Sequence, residues 1–145
     1  MKGLALVAPE VLKPLAIGLL MKESGAVVRE ICEFLICHPD AVSADSLMEA
    51  FQTTERDSVK RSILKVFDNM TKWKRLLYLV RSFDCSSGII ADQISDRISN
   101  WLKSFNNSFV AVQSSDVPVL LDSLSQSQLP KEMTVQLKSL LNQAR

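Results

Sequence analysis

Three residues in the first third of the chain carry the side chains of a metal site: Cys32, Cys37 and His38. Thiolate and imidazole both bind zinc, but a structural zinc takes four such ligands in a tetrahedron. Cys32 and Cys37 are five residues apart, about 140° around a helix, and no second Cys/His cluster supplies the missing ligands. The pair therefore reads as a small buried apolar residue, Cys32, and a helix-end residue, Cys37. His38 is the single histidine, and Asp40 lies close to it in sequence, yet no Ser or Cys occupies a recognisable nucleophile elbow. Asp92 and Asp96 form a carboxylate pair at i, i+4 beside Arg97, a spacing that places both on one helix face and more often meets solvent than performs acid–base work. Glycine-rich phosphate loops and the H-E-x-x-H pattern are absent from the sequence. The expectation is a non-enzymatic chain with no catalytic residue, bound cofactor or metal ligand.

Charge offers more. Residues 1–55 carry a net −4, residues 56–81 a net +6, and residues 82–145 a net −1. The basic block holds Arg56, Lys60, Arg61, Lys65, Lys72, Lys74, Arg75 and Arg81, with Trp73 and Tyr78 among them. An aromatic ring beside arginines can stack on a base or anchor a partner's side chain. The residues singled out for partner binding are Lys60, Arg61, Lys65, Lys72, Trp73, Arg75, Tyr78 and Arg81. The expected partner is a protein, acidic in character. Nucleic acid is the alternative, contacted through its phosphates by the same residues. Against both stands the plain reading of a solvated helix face in which Lys stems cover apolar neighbours, and Trp73 also fits the core stripe of its own helix.

The elements that would carry these residues are helices. Leu12, Leu15, Ala16, Leu19 and Leu20 follow the i, i+3, i+4, i+7, i+8 spacing of one apolar stripe, and Ser24-Gly25 breaks it. A second helix spans about 26–36, with Val27, Val28, Ile31, Phe34 and Leu35 inward, ended by His38-Pro39-Asp40. Ser43 or Asp45 caps a third helix with Leu47, Met48 and Phe51. A fourth starts at Asp57 or Ser58 and places Val59, Ile63, Phe67 and Met70 on its seam. Thr71 caps a fifth with Trp73, Leu76, Leu77, Val80 and Phe83. After the turn 85–88 a long sixth carries Ile90, Ile94, Ile98, Trp101, Leu102 and Phe105, stopped by Asn106-Asn107-Ser108. Ser115-Asp116 caps a seventh with Val117, Leu120, Leu121 and Leu124. The eighth starts near Pro130 and bears Met133, Leu137, Leu140 and Leu141. No segment alternates with period two, so the fold class is all-α.

The pattern also returns. Leu15, Leu19, Val27, Ile31 and Leu35 recur about thirty residues on as Leu47, Phe51, Val59, Ile63 and Phe67, and more loosely as Leu76, Val80, Ile90, Ile94 and Ile98. Each unit is a helix A, a short turn and a helix B, and in the first two units a β-branched residue is followed two places later by arginine: Val27 with Arg29, Val59 with Arg61. Over residues 12–105 this resembles the HEAT/armadillo class of α-helical repeats, although the proline and aspartate found at fixed turn positions in better-known members are missing here. The resemblance implies a short right-handed solenoid of about three helix pairs, finished by a polar helical hairpin over 113–145, which acts as a binding surface. An irregular helical bundle is the alternative, because leucine-rich amphipathic helices with similar loops imitate repeats by chance.

The bulk numbers agree with a single soluble domain over 1–145. The chain has 145 residues, 47% hydrophobic and 23% charged, with only 4 Gly and 5 Pro. Its net charge of +1 excludes a general electrostatic glue for membranes or nucleic acid. The 3 cysteines are an odd number, which favours free thiols in a reducing cytoplasm. No run reaches the ~18 apolar residues of a membrane span. The apolar stretch 3–9 is broken by Glu10 and Lys13 before a signal-peptide core is complete. The N-terminal helix is apolar on most sides, which points to a homodimer through Leu6, Leu12 and Ile17, or to a chain that is the C-terminal piece of a longer array.

Overall fold

The computed structural model describes Gly18 and residues 25–38, 42–104 and 112–144. Regular structure among these residues is all helical, in seven helices: α1 (Gly25–Cys37), α2 (Ala44–Thr53), α3 (Asp57–Asp68), α4 (Lys72–Asp84), α5 (Gly88–Ser104), α6 (Val117–Gln126) and α7 (Lys131–Gln143). Of the expected first helix over residues 12–22 only Gly18 is described, and it is helical; the rest of that helix, the self-association surface at Leu6, Leu12 and Ile17, and the stop at 106–108 lie outside the described residues. The chain divides into two compact units, Met1–Met70 and Thr71–Arg145.

In the first unit, α1 buries Val28, Ile31, Cys32 and Leu35, the i, i+3, i+4, i+7 set of one helical stripe. Val27 and Phe34, expected inside with them, are only half-buried at its edges. Gly25, expected with Ser24 to break the helix before it through a left-handed cap conformation, is the first residue of α1, and its φ is not left-handed. Ser43 caps α2, its hydroxyl accepting the Ser46 backbone N–H at 3.2 Å, and Leu47, Met48, Ala50 and Phe51 turn inward. Helix α3 buries Val59, Ser62, Ile63, Leu64, Val66 and Phe67. That is more than half of its circumference, because α3 packs against both α1 and α2. It ends two residues earlier than the Met70 seam suggested, at Asp68, where the Asn69 side-chain amide donates to the Lys65 carbonyl at 2.8 Å. Phe51, Ile63 and Phe67 are fully buried; each such side chain contributes about 1.5–3 kcal/mol over its exposed state.

In the second unit, α4 packs against α5 and α6, and α6 against α7. Helix α5 buries Ile90, Ile94, Ile98 and Trp101 along one stripe, and Gly88 opens it with φ 59, a left-handed conformation that glycine adopts without a Cβ clash. Thr71 and Asp116 stand at the N-cap positions of α4 and α6, as their side chains suggested, but neither makes a side-chain capping bond. Two long-range ties hold this unit. Trp101 Nε1 donates to the Lys72 carbonyl at 2.9 Å. One carboxylate oxygen of Asp84 accepts both the Ser127 hydroxyl at 2.8 Å and the Gln128 backbone N–H at 3.0 Å, which fastens the α6–α7 link to the end of α4.

Candidate functional site

The basic residues singled out from the sequence fall on α3, in the first unit, and on α4, in the second. On α3 the exposed residues Ser58, Arg61 and Lys65, followed by exposed Asn69 just past its end, follow one another at i, i+3, i+7 and i+11, an unbroken polar stripe opposite the core face. Arg61 and Lys65 are thereby neighbours one turn apart. Lys60 is drawn round the helix: it is half-buried, its ammonium 5.4 Å from the centre of the Phe51 ring, a cation–π contact that also covers the edge of the core. Arg56 precedes α3 and is half-buried.

Helix α4 presents a different picture, with three of the expected partner-binding residues inside. Trp73 is 4% exposed and Tyr78 8% exposed, so neither ring stands on the surface as an anchor. Trp73 packs edge-on against Trp101, ring centres 5.3 Å apart at 65°, the geometry that the ring quadrupoles favour. Lys72 is also buried, at 8%. Burial, and secondarily the nearby Arg75 charge, lowers the pKa of its ammonium. Arg75 and Arg81 are half-buried, and the Arg81 guanidinium lies 5.6 Å from the Tyr78 ring centre. Lys74, outside the set of residues expected to bind a partner, is the exposed cation of this helix. The physical reason is that α4 has neighbours on two sides. A single amphipathic stripe does not describe it, and Lys72, Trp73 and Tyr78 fall inside the wider buried sector.

The other residues with chemical side chains occupy ordinary places. Cys32 is buried, and desolvation pushes its thiol up to about 12 against a smaller opposing effect of Lys65; a thiol held protonated is a poor nucleophile and a poor metal ligand. Cys37 is exposed. His38 stacks on Phe34 with ring centres 4.4 Å apart, and its Nδ1 lies 3.1 Å from the Phe34 carbonyl oxygen, so the ring finishes α1. Asp92 and Asp96 are both exposed on α5. Among the described residues no group of three His, Cys, Asp or Glu side chains converges as a metal site would require. In the second unit an open cavity of about 410 Å³ is lined by Val112, Ser114, Val117, Pro118 and Leu121; no ionisable side chain is among these residues.

No protein-family model matches the chain, and no curated protein or solved structure shows significant similarity to it. No helix among the described residues is long and apolar enough to cross a membrane.

Proposed function

We propose that this chain is a protein-binding scaffold built from stacked helix pairs of the HEAT/armadillo kind, and that it engages its partner through the outer stripe of α3. The observation that carries the reading is that stripe: Arg61 and Lys65 exposed in line on a helix whose opposite side is fully packed. A rigid helix presenting fixed charges loses little order on binding, which is how repeat proteins build interaction surfaces. The contacts between next-but-one helices, α1 with α3 and α4 with α6, support the stacking, because in a repeat array each pair covers the apolar face of the next. An acidic protein segment suits the stripe better than nucleic acid does. The aromatic platform that base stacking needs is withdrawn by the burial of Trp73 and Tyr78, and the basic block has lost Lys72 to the interior.

Affinity capture from native lysate with the wild-type chain and with an Arg61→Glu/Lys65→Glu variant, read by mass spectrometry, tests this. A protein retained by the first and lost from the second, while far-UV circular dichroism stays unchanged, is the expected result. Binding of 20-mer single-stranded or duplex DNA or RNA that weakens steeply between 50 and 200 mM salt and disappears in the same variant would overturn it in favour of the nucleic-acid alternative.

A further inference from the structure

The link between α6 and α7, Ser127-Gln128-Leu129-Pro130, leaves the helical conformation at once: Ser127 is the C-cap of α6 and has extended backbone at φ −71, ψ 147. Gln128 and Pro130 are exposed, Ser127 is half-buried and Leu129 is buried. One hydroxyl organises this turn. Ser127 Oγ donates to Asp84 Oδ1 at 2.8 Å and accepts the Leu129 backbone N–H at 3.2 Å, while the Gln128 N–H reaches the same carboxylate oxygen at 3.0 Å. Asp84 is the last residue of α4, 43 positions back in the chain. The hydroxyls of Ser82, Ser86 and Ser104 behave differently, each donating to a carbonyl three or four residues earlier. Of these four serines, Ser127 is the one whose hydroxyl ties two distant elements together.

A serine hydroxyl that donates to a carboxylate is a sensitive place for added charge. A phosphoryl group on Ser127 Oγ removes the donated hydrogen and sets about −1.5 to −2 charge against the Asp84 carboxylate. The charge-assisted hydrogen bond becomes a repulsion. As the carboxylate moves off, the Gln128 N–H loses its acceptor, and Leu129, 6% exposed, loses the oxygen that fixes its N–H. The other end of α7 keeps its own tie, from the Val112 N–H to the Ala144 carbonyl at 3.2 Å, so the start of α7 is the end set free.

We propose that Ser127 is a phosphoacceptor, and that the clasp of Asp84 with Ser127 and Gln128 is the latch its phosphorylation opens, freeing the α6–α7 link from the end of α4. The inference lies wholly within the second unit and is independent of the α3 stripe. The step is a phosphoryl transfer from a nucleoside triphosphate. Ser127 Oγ bonds to the γ-phosphorus, the bond from that phosphorus to the β–γ bridging oxygen breaks, the nucleoside diphosphate leaves, and the hydroxyl proton passes to a base of the kinase. Extended backbone in an exposed link suits a kinase's substrate groove, and the hydroxyl becomes reachable whenever the clasp opens locally. Glutamine follows the acceptor at Ser127-Gln128, as it does at Ser125-Gln126, so the enzyme class implied is a serine kinase that selects glutamine after its acceptor.

The test uses the full chain with the phosphoryl group introduced at Ser127 during translation, compared with the unmodified chain by hydrogen exchange. Exchange at Gln128 and Leu129 should accelerate by at least ~30-fold, with tryptophan fluorescence showing the unit still folded. The same group at Ser139, exposed on α7, should leave that exchange unchanged, which separates the latch from charge in general. Asp84→Lys should invert the response, so that phosphorylation at Ser127 slows exchange in the link. In a second arm the wild-type chain is incubated with Mg-ATP and a glutamine-selective serine kinase, and the sites are mapped by mass spectrometry. Phosphate should appear on Ser127, and faster in Asp84→Ala, whose hydroxyl is no longer held. A map in which Ser127 stays unmodified, or exchange at Gln128 that is unchanged or slower in the phosphorylated wild-type chain, would overturn the proposal.

Discussion

Replacing Trp101 with phenylalanine should destabilise the second unit in a way that can be worked out from three contacts. The indole Nε1–H donates to the buried Lys72 carbonyl at 2.9 Å, and a neutral hydrogen bond of this kind is worth about 0.5–1.5 kcal/mol net. The carbonyl sits in the first turn of α4 and keeps its intrahelical acceptor role, so the loss stays within that range. The edge-on contact with Trp73 contributes about 0.5–1.5 kcal/mol, of which phenylalanine retains a part. Exchanging the bicyclic indole of a side chain only 3% exposed for a single ring leaves a void, which adds a cost smaller than the ~3–5 kcal/mol of complete Trp→Ala truncation. The sum is about 2–3 kcal/mol, a large share of the ~5–15 kcal/mol that holds a typical domain. At roughly 4–8 °C per kcal/mol for a unit of this size, the melting temperature should fall by roughly 10–20 °C. The chain has 2 tryptophans, Trp73 and Trp101, both in the second unit, so Trp73 fluorescence in the variant reports that unit alone, while far-UV circular dichroism follows both units. The fluorescence transition should move. A Trp101→Phe chain whose fluorescence midpoint stays within about 1 °C of the wild type would refute the assignment of Trp101 as the fastening between α5 and the start of α4.

Two further outcomes follow from the same geometry. Asp84→Ala removes the acceptor of both the Ser127 hydroxyl and the Gln128 N–H. For a half-buried carboxylate the pair is worth about 2 kcal/mol, so hydrogen exchange at Gln128 should accelerate by roughly 30-fold; unchanged exchange would mean that the α6–α7 link is held by something else. The three thiols should separate by reactivity. At pH 8 an aromatic disulfide reagent should modify Cys37 and Cys85 promptly and reach Cys32 only in denaturant, because burial holds the Cys32 thiol protonated up to about 12. Three fast reactions in the native state would contradict the packing of α1.

The sequence determined the helical class of the described residues and the start and end of each helix to within one or two positions. It did so because apolar spacing of three and four residues, together with breaks such as the turn before Gly88, is a local property of the chain. It also determined the centre of each packed stripe, Ile90, Ile94, Ile98 and Trp101 on α5 and Leu47, Met48 and Phe51 on α2, whereas expected residues at the stripe edges, such as Val27, Phe34, Leu102 and Met133, are only half-buried. Capping bonds were less legible. Ser43 makes one and Thr71 does not, since the residue type permits the bond but the chain's approach angle decides it. Tertiary structure alone decided the basic block. Eight cations close in sequence look like one patch, yet α4 has neighbours on two sides, and this takes Lys72, Trp73 and Tyr78 inside while Arg61 and Lys65 stay in water. The Asp84 clasp, which joins residues more than forty positions apart, had no signal in the sequence. A shared periodicity fixes which face of its helix a residue occupies, and not which helix lies beside it.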